Sequence, residues 1–138
     1  MHASLNEEKI VFLEKKARDV RETIIRMLTE AQSGHTAGAL GMTDIFVALY
    51  FHILNHKPEE PEWDGRDRLV LSNGHIVPVR YATMAHAGYF PIEETMTLRT
   101  LGTAGCAFDS RGTQPRWDPT QRCCRRRRHR LPHRLRLK

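Results

Sequence analysis

The sequence predicts the opening part of an α/β domain with a parallel sheet, followed by a disordered basic tail. Apolar residues recur at spacings of three and four along much of residues 6–102, as they do in amphipathic helices. One short apolar run, Leu-Val-Leu at 69–71, has the character of a strand buried on both faces of a parallel sheet. Because one strand cannot make a sheet, this α/β domain is predicted to be incomplete.

The first half of the chain predicts two helices joined by a glycine-rich loop. Between about residues 6 and 31, apolar side chains lie three or four positions apart with charged residues between them. This helix is predicted to end in a loop that contains Gly34, Gly38 and Gly41. Thr43 is then the predicted N-cap of a short, largely buried helix over residues 43–54.

The second half predicts a strand between polar and helical segments. A polar connection with prolines leads to the strand at 69–71, and the turn Ser-Asn-Gly-His follows it at 72–75. Helical spacing then resumes as far as Gly88, with Pro78 tolerated in the first turn. One more short helix is predicted from Pro91 to Gly102.

Charge divides the chain into two predicted parts, a body at residues 1–102 and a tail at 103–138. The body has a formal charge of −3 and the tail a charge of +9, so the basic character of the whole chain comes from the tail. The tail lacks an amphipathic period and has little apolar content, and it is predicted to be disordered.

Cysteine usage and hydropathy exclude several classes of protein. The three cysteines all lie in the tail, and neither their odd number nor their spacing indicates a disulfide framework or a zinc site. The first residues are too charged for a signal peptide, and no apolar run approaches the roughly 18–20 residues that a membrane span requires. The sequence therefore predicts a soluble, cytoplasmic protein with no membrane partner.

Two Gly-His motifs carry the predicted chemistry. In open α/β sheets, ligands bind where the strands end and helices begin, and a helix N-terminus favours phosphate. In Ser-Asn-Gly-His, Gly74 would let a ligand approach the backbone and His75 would offer a hydrogen-bond donor. Taken alone, this motif and Ser-Gly-His-Thr-Ala-Gly at 33–38 are more typical of turns and capping residues.

Other polar residues predict structure rather than chemistry. His52 and His56 lie four apart, but His56 falls where the helix gives way to a loop, which disfavours a metal site. The alternating charges at 66–68 are typical of ion pairs that fix a loop. Arg80 and Arg99 could meet phosphate, although exposed helix surface is the favoured interpretation for both.

Taken together, the motifs resemble a known family. The strings SGHTAGALGMTDI at 33–45 and RDRLVLSNGH at 66–75 stand in family order, and over about residues 10–102 the chain resembles the N-terminal section of transketolase. The similarity is greatest to the split form, whose N-terminal section is a separate subunit. The resemblance implies a three-layer α/β/α domain that binds thiamine diphosphate.

The resemblance also implies an activity and roles for three residues. Transketolases use thiamine diphosphate and Mg²⁺ to transfer a two-carbon ketol unit between sugar phosphates, as in the pentose phosphate pathway. His35 matches the catalytic histidine that meets the substrate near the reacting carbon, where an imidazole can exchange a proton. His75 matches a histidine beside the cofactor, and Gly38 matches a position that lines the cofactor.

The resemblance ends near Gly102, where the chain is expected to be truncated. The family continues with a Gly-His-Pro segment, a glycine-rich loop for the cofactor and an Asp…Asn pair that holds the metal, and none of these follows here. No metal ligands are therefore assigned, and the chain alone is predicted to be inactive. It is expected to need a C-terminal transketolase subunit or a homodimer partner.

The tail allows three interpretations. The favoured one is a frame-shifted translation, since arginine-rich and cysteine-bearing runs are typical of GC-rich codons read out of register. The second is a genuine basic arm, in which Arg125–Arg128 would attract nucleic acid without reading its sequence, so that the chain would be a non-enzymatic interaction protein. The third is a solvated extension without function.

Overall fold

The computed structural model of the chain describes residues 6–98, and this part is helical. Its four α-helices are α1 (Glu7–Glu30), α2 (Thr36–Gly41), α3 (Thr43–Ala48) and α4 (Val77–His86). A π-helical turn, Leu49–Ile53, continues α3, and 3₁₀ turns span Gly74–Ile76 and Ile92–Thr97.

Helix α1 forms where the periodicity predicts it and organises the other elements. Its N-cap Asn6 accepts a hydrogen bond from the backbone N–H of Lys9 at 2.9 Å, which satisfies one of the free donors of the first turn. Its buried stripe packs against α2, α3, α4 and the Ile92–Thr97 turn. The stripe consists of Ala17, Val20, Thr23, Ile24, Met27 and Leu28.

Helix α4 is buried around its whole circumference. Every residue from Val77 to Ala85 is buried, since α1, α2, α3 and the Ile92–Thr97 turn all contact this helix. Pro78 lies in the first turn, where its missing N–H costs nothing, and Gly88 reverses the chain beyond the helix with φ +94°. The predicted helix is thus confirmed, and it forms the centre of the core.

The predicted loop and helix start after α1 are both wrong in detail. Residues 36–41 form α2 rather than a loop. Thr43 is the first residue of α3, and Met42 occupies the N-cap position. Thr43 is fully buried, and its hydroxyl donates to the carbonyl of Ala39 at 3.1 Å. The Thr43 hydroxyl bonds to a carbonyl because it is buried away from water and must find its partner within the protein.

The predicted strand at 69–71 does not form among residues 6–98. A strand exists only through hydrogen bonds to a neighbouring strand, and this part of the chain contains no second strand. Leu69 and Leu71 are half-buried against the core, whereas the Val70 side chain between them is 73% exposed. The predicted sheet is therefore not observed in the described residues, which include only the helical side of the expected architecture.

The charged string at 66–68 fixes a loop, in agreement with the sequence interpretation. The backbone N–H of Asp67 donates to the carbonyl of Asn55 at 2.8 Å, and the Asp67 carboxylate accepts from the Asn55 N–H at 2.8 Å. Arg68 lies 3.9 Å from the carboxylate of Asp64. These contacts hold the polar connection against the end of the helical segment before it.

Arg80 contradicts the prediction of an exposed helix surface. Its side chain is only 2% exposed, because α4 is covered on all sides. Arg99, the other arginine considered for phosphate, lies outside the described residues, as does the whole predicted tail at 103–138. None of the described helices is long and apolar enough to cross a membrane.

His86 joins the two main helices at the end of α4. The hydroxyl of Thr23 donates to the carbonyl of Asp19 at 3.0 Å and lies 2.8 Å from Nε2 of His86. Since a hydroxyl has one proton, Nε2 carries the proton of this second bond and donates it to Thr23. Burial, and then the charge of Lys16, lower the pKa of His86, while Asp19 acts in the opposite direction.

We expect Ile24→Ala to destabilise the chain far more than Ile25→Ala. Ile24 is 0% exposed, so its truncation leaves a cavity and should cost about 2–5 kcal/mol in the free energy of unfolding. Ile25 follows it on the same helix at 50% exposure, and its replacement should stay within about 0.5 kcal/mol. Urea denaturation of the two variants provides the comparison; equal losses would contradict this core.

We expect the chain to lose stability in mild acid through His86. Its pKa is lowered in the folded state, so the folded chain binds this proton more weakly than the unfolded chain. The free energy of unfolding should therefore fall as the pH drops through 6.5, and the loss should end below the folded-state pKa. Thermal melts across this range, repeated with His86→Gln, test the assignment. A profile that the substitution leaves unchanged would refute it.

Candidate active site

The first candidate histidine is positioned by the sharp reversal after α1. Gln32 has φ 47°, and its side-chain amide donates to the carbonyl of Thr29 at 2.7 Å, which closes the end of the helix. Gly34 follows with φ 127°, a conformation that residues with a side chain rarely adopt. The chain then turns into α2, and His35 occupies the N-cap position of that helix.

The second candidate histidine is positioned by an asparagine. The side-chain oxygen of Asn73 accepts a hydrogen bond from the backbone N–H of His75 at 3.0 Å. Asn73 is thus the cap of the 3₁₀ turn Gly74–Ile76, which leads directly into α4. His75 therefore stands at the entrance to the most buried helix while its own side chain remains exposed.

The fold brings these two histidines together. The ring centroids of His35 and His75 lie 5.6 Å apart, and the two ring planes are inclined by 39°. Both residues are exposed, so a ligand can reach both imidazoles from solvent. Two motifs that are distant in the sequence therefore form one candidate site.

Gly38 maintains this arrangement by allowing close packing. A Cβ atom at Gly38 would lie 2.9 Å from Cγ2 of Ile76, too close for an ordinary contact. Only glycine lets α2 approach the Gly74–Ile76 turn at this distance, and that approach sets the separation of the two histidines. The space beside Gly38 is thus filled by Ile76, and its predicted role in lining a cofactor stays a prediction.

The two segments that carry the histidines contain no acidic or basic side chain other than the histidines themselves. Neither residues 33–38 nor residues 72–76 include an aspartate, glutamate, lysine or arginine. Within residues 6–98, no group of three or more histidine, cysteine, aspartate or glutamate side chains is arranged to hold a metal ion. The two histidines can donate and accept hydrogen bonds, and these two segments offer no carboxylate to a hard divalent cation.

His56, three residues beyond the π-helical turn, is engaged in other contacts. Nε2 of His56 lies 2.6 Å from the carbonyl of Tyr50, and its Nδ1 lies 3.0 Å from the hydroxyl of Tyr89. The carbonyl can only accept, so Nε2 donates and Nδ1 accepts from the tyrosine. Both ring nitrogens are used in this way, so His56 would have to give up a hydrogen bond to coordinate a metal ion.

Sequence reasoning named His35, His75 and Gly38 but missed the residues that hold them in place. Asn73 could have been found, since an asparagine directly before a helical start is a typical capping signal. Ile76 could not, because its contact with Gly38 joins segments that are far apart in the chain.

Comparison with known proteins assigns the chain to a family. Residues 14–114 match the family described as transketolase, thiamine diphosphate binding domain. The chain belongs to this family. The match confirms the resemblance, and it supports an α/β fold for the complete domain, of which the described residues show the helices. It also extends past Gly102, and the predicted domain boundary there remains a prediction.

Individual relatives agree with this assignment. The chain is 40% identical over 96 residues to the 6-deoxy-6-sulfo-D-fructose transketolase subunit SqwG of Clostridium sp. (strain MSTE9), which covers 70% of this chain and 35% of the relative. It is 39% identical over 101 residues to a putative uncharacterized transketolase family protein, y4mO, of Sinorhizobium fredii, covering 73% of this chain and 34% of that protein. Against the transketolase of Homo sapiens, the identity is 33% over 98 residues, 71% of this chain and 16% of the human protein.

The chain thus spans about a third or less of the length of these relatives. Because it matches only the N-terminal portion of longer relatives, the chain is a fragment of a transketolase-family protein. The members of this family are transferases. The comparisons give no support to the alternative of a basic nucleic-acid-binding protein. The tail on which that alternative depends lies outside the described residues.

We expect Gly38→Ala to destabilise the chain and Gly41→Ala to leave it unchanged or stabilise it. The added methyl at Gly38 meets the branched carbon of Ile76, which cannot rotate away, and overpacking of this kind costs about 1–3 kcal/mol. Gly41 lies in the same helix with open space around its Cβ position, so alanine should gain about 0.5–1 kcal/mol there.

Chemical denaturation of both variants measures this difference. The double variant Gly38→Ala with Ile76→Ala removes the carbon that the new methyl would meet, so its loss should be smaller than the sum of the two single losses. Additive losses in the double variant would show that this contact does not set the approach of α2.

Proposed function

We propose that this chain supplies the opening part of the thiamine diphosphate-binding domain of a transketolase, and that His35 and His75 work at its active site. The carrying observation is the pair of exposed imidazoles, 5.6 Å apart, in a chain of this family. The reaction is the transfer of a two-carbon ketol unit between sugar phosphates, as in the pentose phosphate pathway.

The residues at the site fit part of the cofactor's requirements. Thiamine diphosphate, when bound, supplies the electron sink for the carbanion that carbon–carbon cleavage leaves. Two exposed imidazoles and an uncharged surround suit the hydroxyl and phosphate oxygens of such ligands, because imidazoles can donate hydrogen bonds to both. Within residues 6–98, no group of three or more histidine, cysteine, aspartate or glutamate side chains is arranged to hold magnesium, and we assign no step to it.

His35 is the proposed catalytic residue. It is exposed at the start of α2, directly after the reversal of the backbone at Gly34. Its imidazole would give a proton to, or take one from, a hydroxyl oxygen of the sugar at the reacting carbon.

His75 is proposed to bind the cofactor rather than to move protons. Its backbone is held by Asn73, and its side chain would donate a hydrogen bond to an oxygen of the bound ligand. Gly38 supports both roles by keeping α2 against the Gly74–Ile76 turn, and we retain the proposal that its exposed backbone also lines the cofactor.

We propose that a complete site includes polypeptide beyond the matched segment. The relatives extend well beyond the matched segment, and one of them is named as a transketolase subunit. We propose that a C-terminal transketolase subunit or a second copy of the chain completes the site, and that the chain alone is inactive. The substrates are proposed as sugar phosphates without further distinction, and the cytoplasmic location stays a prediction.

A chimera tests this function in the presence of the missing polypeptide. Residues 10–102 of this chain would replace the matched segment of human transketolase, which supplies the remaining length. We expect His35→Ala in the chimera to lower kcat/KM for ketol transfer by about 100-fold or more, because general acid–base catalysis contributes at least this much. We expect His75→Ala to weaken the binding of thiamine diphosphate, measured by fluorescence titration.

His52→Ala is the matched control, since this histidine lies in the π-helical turn and belongs to neither motif. It should leave both ketol transfer and cofactor binding close to those of the unsubstituted chimera. An active chimera that tolerates the loss of both His35 and His75 would refute the proposed roles.

A further inference from the structure

The separation of the two exposed imidazoles suits a single metal ion between them. Zinc binds imidazole nitrogen at about 2.0–2.1 Å in tetrahedral geometry, so two imidazoles on one ion place their ring centres about 5.2 Å apart. The rings of His35 and His75 are 5.6 Å apart. Because both side chains are exposed, small rotations can close the difference without disturbing the core.

The backbone already holds both ligands in place. His35 is fixed by the turn before α2, and His75 by the hydrogen bond that its N–H donates to Asn73. The close contact of Gly38 with Ile76 fixes the two segments relative to each other. Little chain entropy would therefore be lost when a metal draws the rings together.

Ligand chemistry selects the class of metal. Imidazole nitrogen suits zinc, cobalt, nickel and copper, whereas Mg²⁺ requires oxygen ligands, and no carboxylate lies within residues 33–38 or 72–76. His56 and His86 are already hydrogen-bonded to the protein and would have to give up those bonds to coordinate.

We propose that His35 and His75 form a two-histidine chelating site for a divalent transition metal of the zinc class. Each imidazole coordinates through one ring nitrogen, and the other two positions of a tetrahedral ion take water or an anionic oxygen. The metal would occupy both side chains that the proposed function assigns to catalysis and cofactor binding. This consequence, which rests on that proposed function, is inhibition of the site by zinc.

Calorimetric titration of the full chain with ZnCl₂ tests the site. The three cysteine thiols are first alkylated with iodoacetamide so that they cannot bind zinc. We expect His35→Asn and His75→Asn each to weaken one zinc-binding event at least tenfold, since either change leaves a single imidazole. His52→Asn should leave the isotherm unchanged, and MgCl₂ should give no event that depends on His35 or His75.

Two outcomes would overturn the proposal. Zinc isotherms that neither substitution alters would show that the pair binds no metal, and an effect of only one substitution would show a single ligand instead of a chelate. Circular dichroism checks that the variants keep their helices, and the result must recur with His35→Gln and His75→Gln. The titration contains no thiamine diphosphate, so its failure would leave the proposed function to be decided by the chimera.

Discussion

The packing of α4 against α1 is the constraint on which the rest of the structure depends. A helix that is buried on every side can exist only if other elements surround it, and α1 supplies the longest of these surfaces. The same enclosure draws the polar side chains of Arg80 and Thr83 into the core, where Thr83 donates to the carbonyl of Val79 at 2.7 Å. The buried hydroxyl of Thr83 is tolerated because it has this partner within the protein.

The candidate site follows from this packing. The Gly74–Ile76 turn leads directly into α4, and the loop with His35 leads away from α1, so fixing the two helices also fixes the two histidines. The turn and α2 meet where Gly38 has no side chain. An exposed pair is thus held by a buried framework, which allows access for a ligand together with a defined spacing.

Local features of the sequence predict the helices well. Asn6, two glutamates and a regular apolar stripe define α1, and Pro78 and Gly88 mark the beginning and the end of α4. The errors arise where distant contacts decide. Thr43 is a favourable N-cap residue by its type, yet it is buried and its hydroxyl donates to the carbonyl of Ala39 in the preceding helix α2. Arginine is a residue type typical of protein surfaces, and Arg80 is buried only because other elements surround its helix.

For the candidate site too, local patterns predict some features and distant contacts decide the others. The motifs around His35 and His75 indicate their chemistry, but the spacing of 5.6 Å depends on tertiary packing that no local pattern encodes. The strand at 69–71 is the opposite case, since its pattern is strand-like while its formation depends on neighbours that residues 6–98 do not contain. A strand is a property of a pair, whereas a helix satisfies its own backbone.

The exposed Val70 has a consequence for how the chain behaves in concentrated solution. Within residues 6–98, no backbone hydrogen bond joins residues 69–71 to another segment, and the apolar side chain of Val70 among them is largely exposed. Such a segment is a template for pairing with its own copy in a neighbouring molecule. Because residues 69–71 resemble an unprotected sheet edge, aggregation would start from them. A single charged side chain placed there would oppose that aggregation.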